Sequence, residues 1–268
     1  MNVLPSATVG APSSPWIRNH GARTTPRTRL VCFAHSGGGA SFFRDWAPGL
    51  PDDCELWAIQ YPGREDRLHE PFLPDMGALA TAITGQLVRH QDLPMVLFGH
   101  SMGASVAYEV ARRMAFRAPG TVRHLIVSGR MAPHRQPVIP EGEMTHLRSD
   151  QEIVDRLTAL GGSRSDVLDD PDLRAFVLPA VRNDYRLIES YHARPGPLLP
   201  IDITALTGDA DDGVRPEDVR AWEQSGSGDF AFRSFPGGHF YLIPRRTDVT
   251  EEISRVLRST TAAGPAAP

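Results

Sequence analysis

Two cysteines in 268 residues leave no room for a disulfide framework, and neither stands in a metal-ligand spacing. Cys32 and Cys54 each sit in an apolar, strand-like stretch, so two buried free thiols without a chemical role are expected. Charge of one sign is also missing. The 28 basic residues stand against 32 acidic ones, a formal net charge of -4, and neither sign forms a long block. That balance argues against the surfaces that nucleic acid or an anionic membrane would need. No apolar run is long enough to span a bilayer, and the first ten residues have neither a basic n-region nor the apolar core of an export signal. The expectation is a cytoplasmic, monomeric protein with no nucleic-acid and no membrane partner.

What is present organises itself around Met95–Ala104. An apolar run suited to a buried strand passes through Gly99-His100-Ser101-Met102-Gly103 and becomes Ala104–Met114, whose composition favours helix. A serine at the tip of such a strand–turn–helix is lifted from the sheet edge, and the crowding there demands very small residues two before and two after it. Gly99 and Gly103 meet that demand. Ser101 therefore reads as a nucleophile, and the N–H of Met102, at the helix start, as a donor to the developing negative charge. G-x-S-x-G alone is a common pattern, so the reading needs partners elsewhere.

The length suits one large α/β domain with an insertion. Residues 1–27 mix Pro, Ser, Thr and Gly without an apolar period and are expected to be a disordered leader; residues 28–258 would form the folded domain and 259–268 a flexible tail. Leu30–Ala34 is a strand candidate running into His35-Ser36-Gly37-Gly38-Gly39. The glycines lack the lysine and spacing of a phosphate loop. A Gly-rich loop after an early strand instead suits the second oxyanion donor of an acyl-transfer site, with the N–H of Ser36 as the donor. His35 is taken as an anchor that holds this loop by a hydrogen bond. Ser41 is expected to cap a helix over residues 42–50, and Asp75 another over residues 76–90.

After the strand Cys54–Ile59 comes Gln60-Tyr61-Pro62-Gly63-Arg64-Glu65-Asp66-Arg67, a turn that places Tyr61, Arg64 and Arg67 to line or brace a pocket, or to pair with carboxylates on the surface. His124–Ser128 is a further strand. Residues 130–200 then show no strand pattern, only helical periods broken by Gly and Pro, with candidates over 150–160, 172–177 and 181–190. Such an insertion suits a lid over a catalytic edge, or an interaction platform. Alternation resumes with Asp202–Thr207, the acidic turn Gly208-Asp209-Ala210-Asp211-Asp212, a helix, the strand Phe230–Phe235 and Pro236-Gly237-Gly238-His239-Phe240. A final helix is expected over 247–257. The order Ser, acid, His and the glycines before His239 suit a Ser101–His239–Asp triad. Asp209, Asp211 and Asp212 compete for the acid. Asp211 is favoured because the carboxylate must reach forward once the turn is complete, with Asp209 bonding its own backbone.

With these pieces in place the chain resembles the discrete type II thioesterases that accompany modular polyketide and nonribosomal peptide synthases. The resemblance covers Leu30 to about Leu257 and rests on Phe33-Ala-His-Ser-Gly-Gly38, Gln60–Arg67, Gly99-His-Ser-Met-Gly103, Leu206-Thr-Gly-Asp-Ala-Asp211 and Phe235-Pro-Gly-Gly-His-Phe-Tyr-Leu242. Ala34 and Ser36 depart from the usual Pro and Ala around His35, which matters little to a backbone donor. The resemblance implies an α/β-hydrolase fold with a mostly parallel central sheet flanked by helices and a helical lid insertion. It supports Asp211 as the acid. It also implies hydrolysis of aberrant or stalled acyl groups from the phosphopantetheine arm of acyl or peptidyl carrier proteins. No metal or cofactor is implied, the phosphopantetheine belonging to the substrate. Arg64, Arg67, Arg130 or Arg135 are candidates for docking the acidic face of a carrier. A small-molecule carboxylesterase, an acyl-transferring or releasing thioesterase, and a hydrolase fold that only binds are the competing readings.

Overall fold

The computed structural model describes residues 14–161 and 170–262. The apolar runs become strands that are buried almost throughout: β2 (Thr28–Phe33), β3 (Cys54–Ile59), β4 (Met95–His100), β5 (Val122–Ser128) and β6 (Asp202–Gly208). Near-continuous burial without polar alternation is what a parallel sheet covered on both faces imposes. With β1 (Ile17–Gly21) at one edge and β7 (Phe230–Phe235) at the other, the sheet order is β1-β3-β2-β4-β5-β6-β7. All neighbours are parallel except β1 and β3. This is the mostly parallel, helix-flanked sheet of an α/β-hydrolase, with the strand carboxyl ends along one edge.

β1 differs from the expected leader. Ile17 pairs with Ile59 in an antiparallel edge strand that slips register between Asn19 and Gly21. Only its two end residues are buried, so the segment has no period for a sequence reading to find. Residues 1–13, the first part of that expected leader, lie outside the described residues.

The helices follow local chemistry. α1 (Met76–Leu87) is capped by Asp75, whose carboxylate accepts the Ala78 N–H at 2.7 Å. α2 (Met102–Arg117) leaves β4 through the sharp turn at Ser101. Ser41 caps nothing: residues Ala40–Gly49 form a 3₁₀ segment entered from Gly39, and the Ser41 hydroxyl turns to Glu65.

The insertion carries α3 (Asp150–Leu160), opened by a reciprocal Ser149/Glu152 capping box, and α4 (Pro171–Glu189). Two helices broken at Pro179 were expected; one continuous helix is found. Proline costs a helix interior about 3 kcal/mol, and α4 offsets it by burying Leu178, Val181 and Tyr185 against Ile153, Val154 and Leu157 of α3. The insertion thus has a small core of its own. After α5 (Pro216–Arg220) and β7, α6 (Arg246–Ala262) runs past the expected end at Leu257 into the expected tail, with Thr260 buried; residues 263–268 lie outside the described residues. No helix among the described residues is long and apolar enough to cross a membrane.

Candidate active site

Ser101 sits at the end of β4 with φ 55° and ψ -120°, a backbone conformation that L-residues avoid unless the surroundings enforce it. The enforcement is close packing. A Cβ on Gly99 would lie 2.2 Å from the Gly103 carbonyl oxygen, and one on Gly103 would lie 2.1 Å from that of Phe33. The Ser101 N–H donates to the Ser128 carbonyl at 2.8 Å, which fixes the turn against β5 and leaves the hydroxyl facing the strand carboxyl ends.

Two neighbouring loops bring its partners. His239 Nε2 lies 3.0 Å from Ser101 Oγ, and His239 Nδ1 lies 2.8 Å from Asp211 Oδ2. The other carboxylate oxygen of Asp211 accepts the Gly213 N–H at 3.0 Å. Asp211 and His239 are both buried. Asp209 does not bond its own backbone as expected; its carboxylate accepts the Gly237 N–H and so ties the acid loop to the histidine loop. The third acid considered, Asp212, is exposed.

The remaining rings around His239 are held uncharged. His35 is pushed down to about 3 by burial, with His239 and Arg64 adding to it. His100 is driven well below the usual imidazole range by burial, then by His239 and His35. An uncharged neighbour does not oppose a positive charge on His239. The His35 ring is not the hydrogen-bonded anchor expected: it is wedged edge-on between Phe42 and Phe240, each 4.8 Å away, and its buried Nδ1 has no hydrogen-bond partner among the described residues. His100 Nδ1 meets Ser128 Oγ at 2.9 Å, which in turn meets the Tyr241 hydroxyl at 2.7 Å.

Ser36, Ser101, Met102 and His239 share one cavity of about 130 Å³. Much of the apolar lining comes from the insertion, Leu157 and Leu160 of α3 and Tyr185 and Ile188 of α4, with Met131 and Val214, and two arginines, Arg130 and Arg156, line it as well. The insertion therefore covers the catalytic edge as a lid. Of the four arginines considered for docking, Arg64 and Arg67 are buried, the first paired with Asp184 and the second with Glu70 and the Gln60 carbonyl. The guanidinium of Arg130 is also desolvated, which pushes it down to about 10, and it lines the cavity. Arg135 is exposed. Composition does not distinguish an arginine buried on a carboxylate from one on the surface. Among the described residues no group of His, Cys, Asp and Glu is arranged to hold a metal, and Cys32 and Cys54 are buried and unpaired.

Arg156, Leu157, Tyr185 and Ile188 are site residues that the sequence did not single out individually. The sequence showed helical periods over this stretch, without saying which side chains face the site.

Residues 28–257 match the family model of the thioesterase domain. The chain belongs to the thioesterase family. Among its relatives, a probable cadicidin biosynthesis thioesterase of Streptomyces griseus is 39% identical over 263 residues, covering 98% of this chain and 71% of the relative. The thioesterase PikA5 of Streptomyces venezuelae is 36% identical over 94% of this chain and 88% of its own length. Among solved structures, the type II thioesterase BorB from the borrelidin biosynthetic cluster superimposes with a TM-score of 0.84 at 40% identity, covering 92% of this chain and 99% of that one. This thioesterase is accordingly a serine hydrolase acting on thioesters, of the discrete type II kind found with polyketide and nonribosomal peptide pathways.

Proposed function

We propose that this thioesterase removes aberrant or stalled short acyl groups from the phosphopantetheine arm of acyl or peptidyl carrier proteins, with Ser101 as nucleophile, His239 as base and acid, and Asp211 as its orienting carboxylate. The observation that carries the reading is the unbroken line Ser101 Oγ, His239 Nε2, His239 Nδ1, Asp211 Oδ2 at the floor of a lid-covered cavity.

The chemistry follows from that line. Ser101 Oγ attacks the thioester carbonyl while its proton passes to His239 Nε2, and Asp211 stabilises the resulting imidazolium. The oxyanion is received by the backbone N–H groups of Met102 and Ser36. The carbon–sulfur bond breaks, and the carrier thiol leaves with the proton from His239. A water then gives its proton to His239, its oxygen attacks the acyl-enzyme, and collapse releases the free acid and restores the Ser101 hydroxyl. The groups of the chain and one water suffice for these steps; the phosphopantetheine arrives and leaves with the carrier. A short acyl chain lies against Leu157, Leu160, Ile188 and Val214.

The test compares one short acyl group presented on a carrier protein, on a pantetheine analogue and as an oxygen ester. Fastest turnover from the carrier supports editing in trans. Equal or faster turnover of the oxygen ester replaces the proposal with a small-molecule carboxylesterase using the same residues.

A further inference from the structure

Beside its own backbone bonds, Gly38 N–H to the His35 carbonyl and Phe42 N–H to the Gly39 carbonyl, the segment Gly37–Ser41 is held by side chains from elsewhere. The Gly37 N–H donates to Asp184 Oδ2 at 2.8 Å, the Ala40 N–H to Gln60 Oε1 at 2.8 Å, and the Ser41 N–H to Glu65 Oε1 at 3.2 Å. The Gly38 carbonyl accepts from Arg64 Nη1 at 3.0 Å. Tyr61 reaches the Ala34 carbonyl just upstream. The Gln60–Glu65 stretch, one of the most distinctive in the sequence, is thus a brace for this loop. Glu65 itself is held at φ 48°, a conformation unfavourable for a side chain of its size and kept only where its surroundings enforce it. Ser36 lines the cavity, and its N–H belongs to the same peptide as the His35 carbonyl, which accepts the Gly38 N–H at 3.0 Å, so the position of Gly37 and Gly38 is passed to that N–H through the turn.

One member of the web does not come from the brace. Asp184 lies on the lid helix α4, in the same stretch as Tyr185 and Ile188 of the cavity wall. Its two oxygens take both terminal nitrogens of Arg64 at 2.7 Å, and both residues are buried. Val181, one turn earlier, packs so closely that a Cβ on Gly37 would lie 2.7 Å from its side chain. Gly37 is therefore pinned by the lid from two sides.

We propose that Arg64 and Asp184 are positioning residues for the oxyanion site: the lid helix, through Asp184, fixes Gly37 and so sets the direction of the Ser36 N–H. This rests on the reading of Ser101 as nucleophile and Ser36 as oxyanion donor. An oxyanion donor acts only within about 2.7–3.1 Å of the developing charge, and a misplacement of about 1 Å can cost about 10²-fold in rate. Lid and oxyanion hole are then one unit, and hydrolysis reaches full rate only with α4 seated.

The test is the double variant Arg64→Met/Asp184→Leu. Replacing both members of a buried ion pair by apolar groups is often neutral or stabilising, so the fold survives while the bond to Gly37 is lost. Its control is Arg29→Met/Glu55→Leu, a pair at the far end of the sheet in which Arg29 is buried and Glu55 half-buried. Measured are kcat and KM for a short acyl-pantetheine thioester, the inhibition constant of an alkyl boronic acid, and the unfolding midpoint. The boronic acid adds to a serine oxygen as a tetrahedral anion and so probes the oxyanion donors directly. The double variant is expected to lose about 10²-fold in kcat with KM within a few-fold, and to weaken boronate binding by a similar factor, while the control changes neither. A folded double variant with wild-type boronate affinity overturns the proposal, whatever its stability. Should the double variant not fold, Arg64→Leu/Asp184→Ala, which also leaves the Gly37 N–H without its side-chain acceptor, is measured in its place, and unchanged boronate affinity there is equally fatal. Ser101→Ala is assayed beside them: turnover surviving that change would defeat the underlying reading and not merely this inference.

Discussion

Asp209 Oδ1 accepts the N–H of Gly237 at 2.9 Å, so the loop that presents Asp211 and the loop that presents His239 move as one piece. The Ala210 N–H to the Gly237 carbonyl, at 3.0 Å, is a second tie between them. Two acids of one turn, separated by Ala210, thereby have different work, one touching the histidine and one holding its loop. Asp211→Asn is expected to lower kcat by about 10³ to 10⁴, the scale seen when a triad acid loses its charge. Asp209→Asn keeps a carbonyl oxygen for Gly237 and should cost far less. Steady-state kinetics of the two variants decide, and the reverse ranking would exchange their roles.

Gly208 ends β6 where the histidine loop crosses it. A Cβ there would lie 2.3 Å from the carbonyl oxygens of both Gly237 and Gly238, so Gly208→Ala must push the loop away. The expected outcome is a loss of about 10²-fold in kcat from displacement of His239, with little change at the far end of the sheet by hydrogen exchange. Wild-type kcat would mean that the loop position is not set there.

The lid wall should set chain length. Leu160→Ala removes bulk from a cavity of about 130 Å³, so the ratio of kcat/KM for a hexanoyl over a propionyl thioester should rise by about tenfold, the lower range for a methylene-sized change in an apolar pocket. An unchanged ratio would place the acyl chain elsewhere.

Stability should fall on acidification, in part through a residue remote from the site. His124 on β5 is buried, bonds Thr204 Oγ1 at 2.8 Å, and is pushed from 6.5 to about 4 by burial, against the opposing pull of Asp202. Between those values the unfolded chain binds a proton that the folded chain resists, so stability drops as pH falls below 6.5 and the loss levels off below about 4. Chemical denaturation at pH 7 and pH 5 should show His124→Gln losing roughly 2 kcal/mol less than wild type. Parallel losses in the two proteins would contradict this.

How much could be read beforehand depends on whether function was written locally. Ser101, His239 and Asp211 each sit on a turn after a strand, marked by glycines that such turns require, so the local pattern reached Ser101 and His239 and narrowed the acid to Asp209, Asp211 and Asp212, among which reach and the family resemblance favoured Asp211. The lid was visible as a break in strand–helix alternation. Asp184 was not, because its partners Gly37 and Arg64 are 147 and 120 residues away and no local pattern distinguishes a carboxylate that faces a core from one that faces water. The same reason hid the burial of Arg64. β1 escaped because an edge strand with two buried residues has no period, and α4 was divided at Pro179 because packing on α3 outweighs local propensity.

The account depends most on Ser101 as the atom that takes the acyl group. The direct measurement is intact-protein and peptide mass spectrometry after rapid mixing with a short acyl-carrier thioester, in wild type and Ser101→Ala, alongside the release of carrier thiol. The account predicts an acyl adduct on the peptide containing Ser101, thiol released no later than acid, and a substituted protein with neither adduct nor significant turnover. Hydrolysis that persists in Ser101→Ala, or an adduct on another residue, would contradict it.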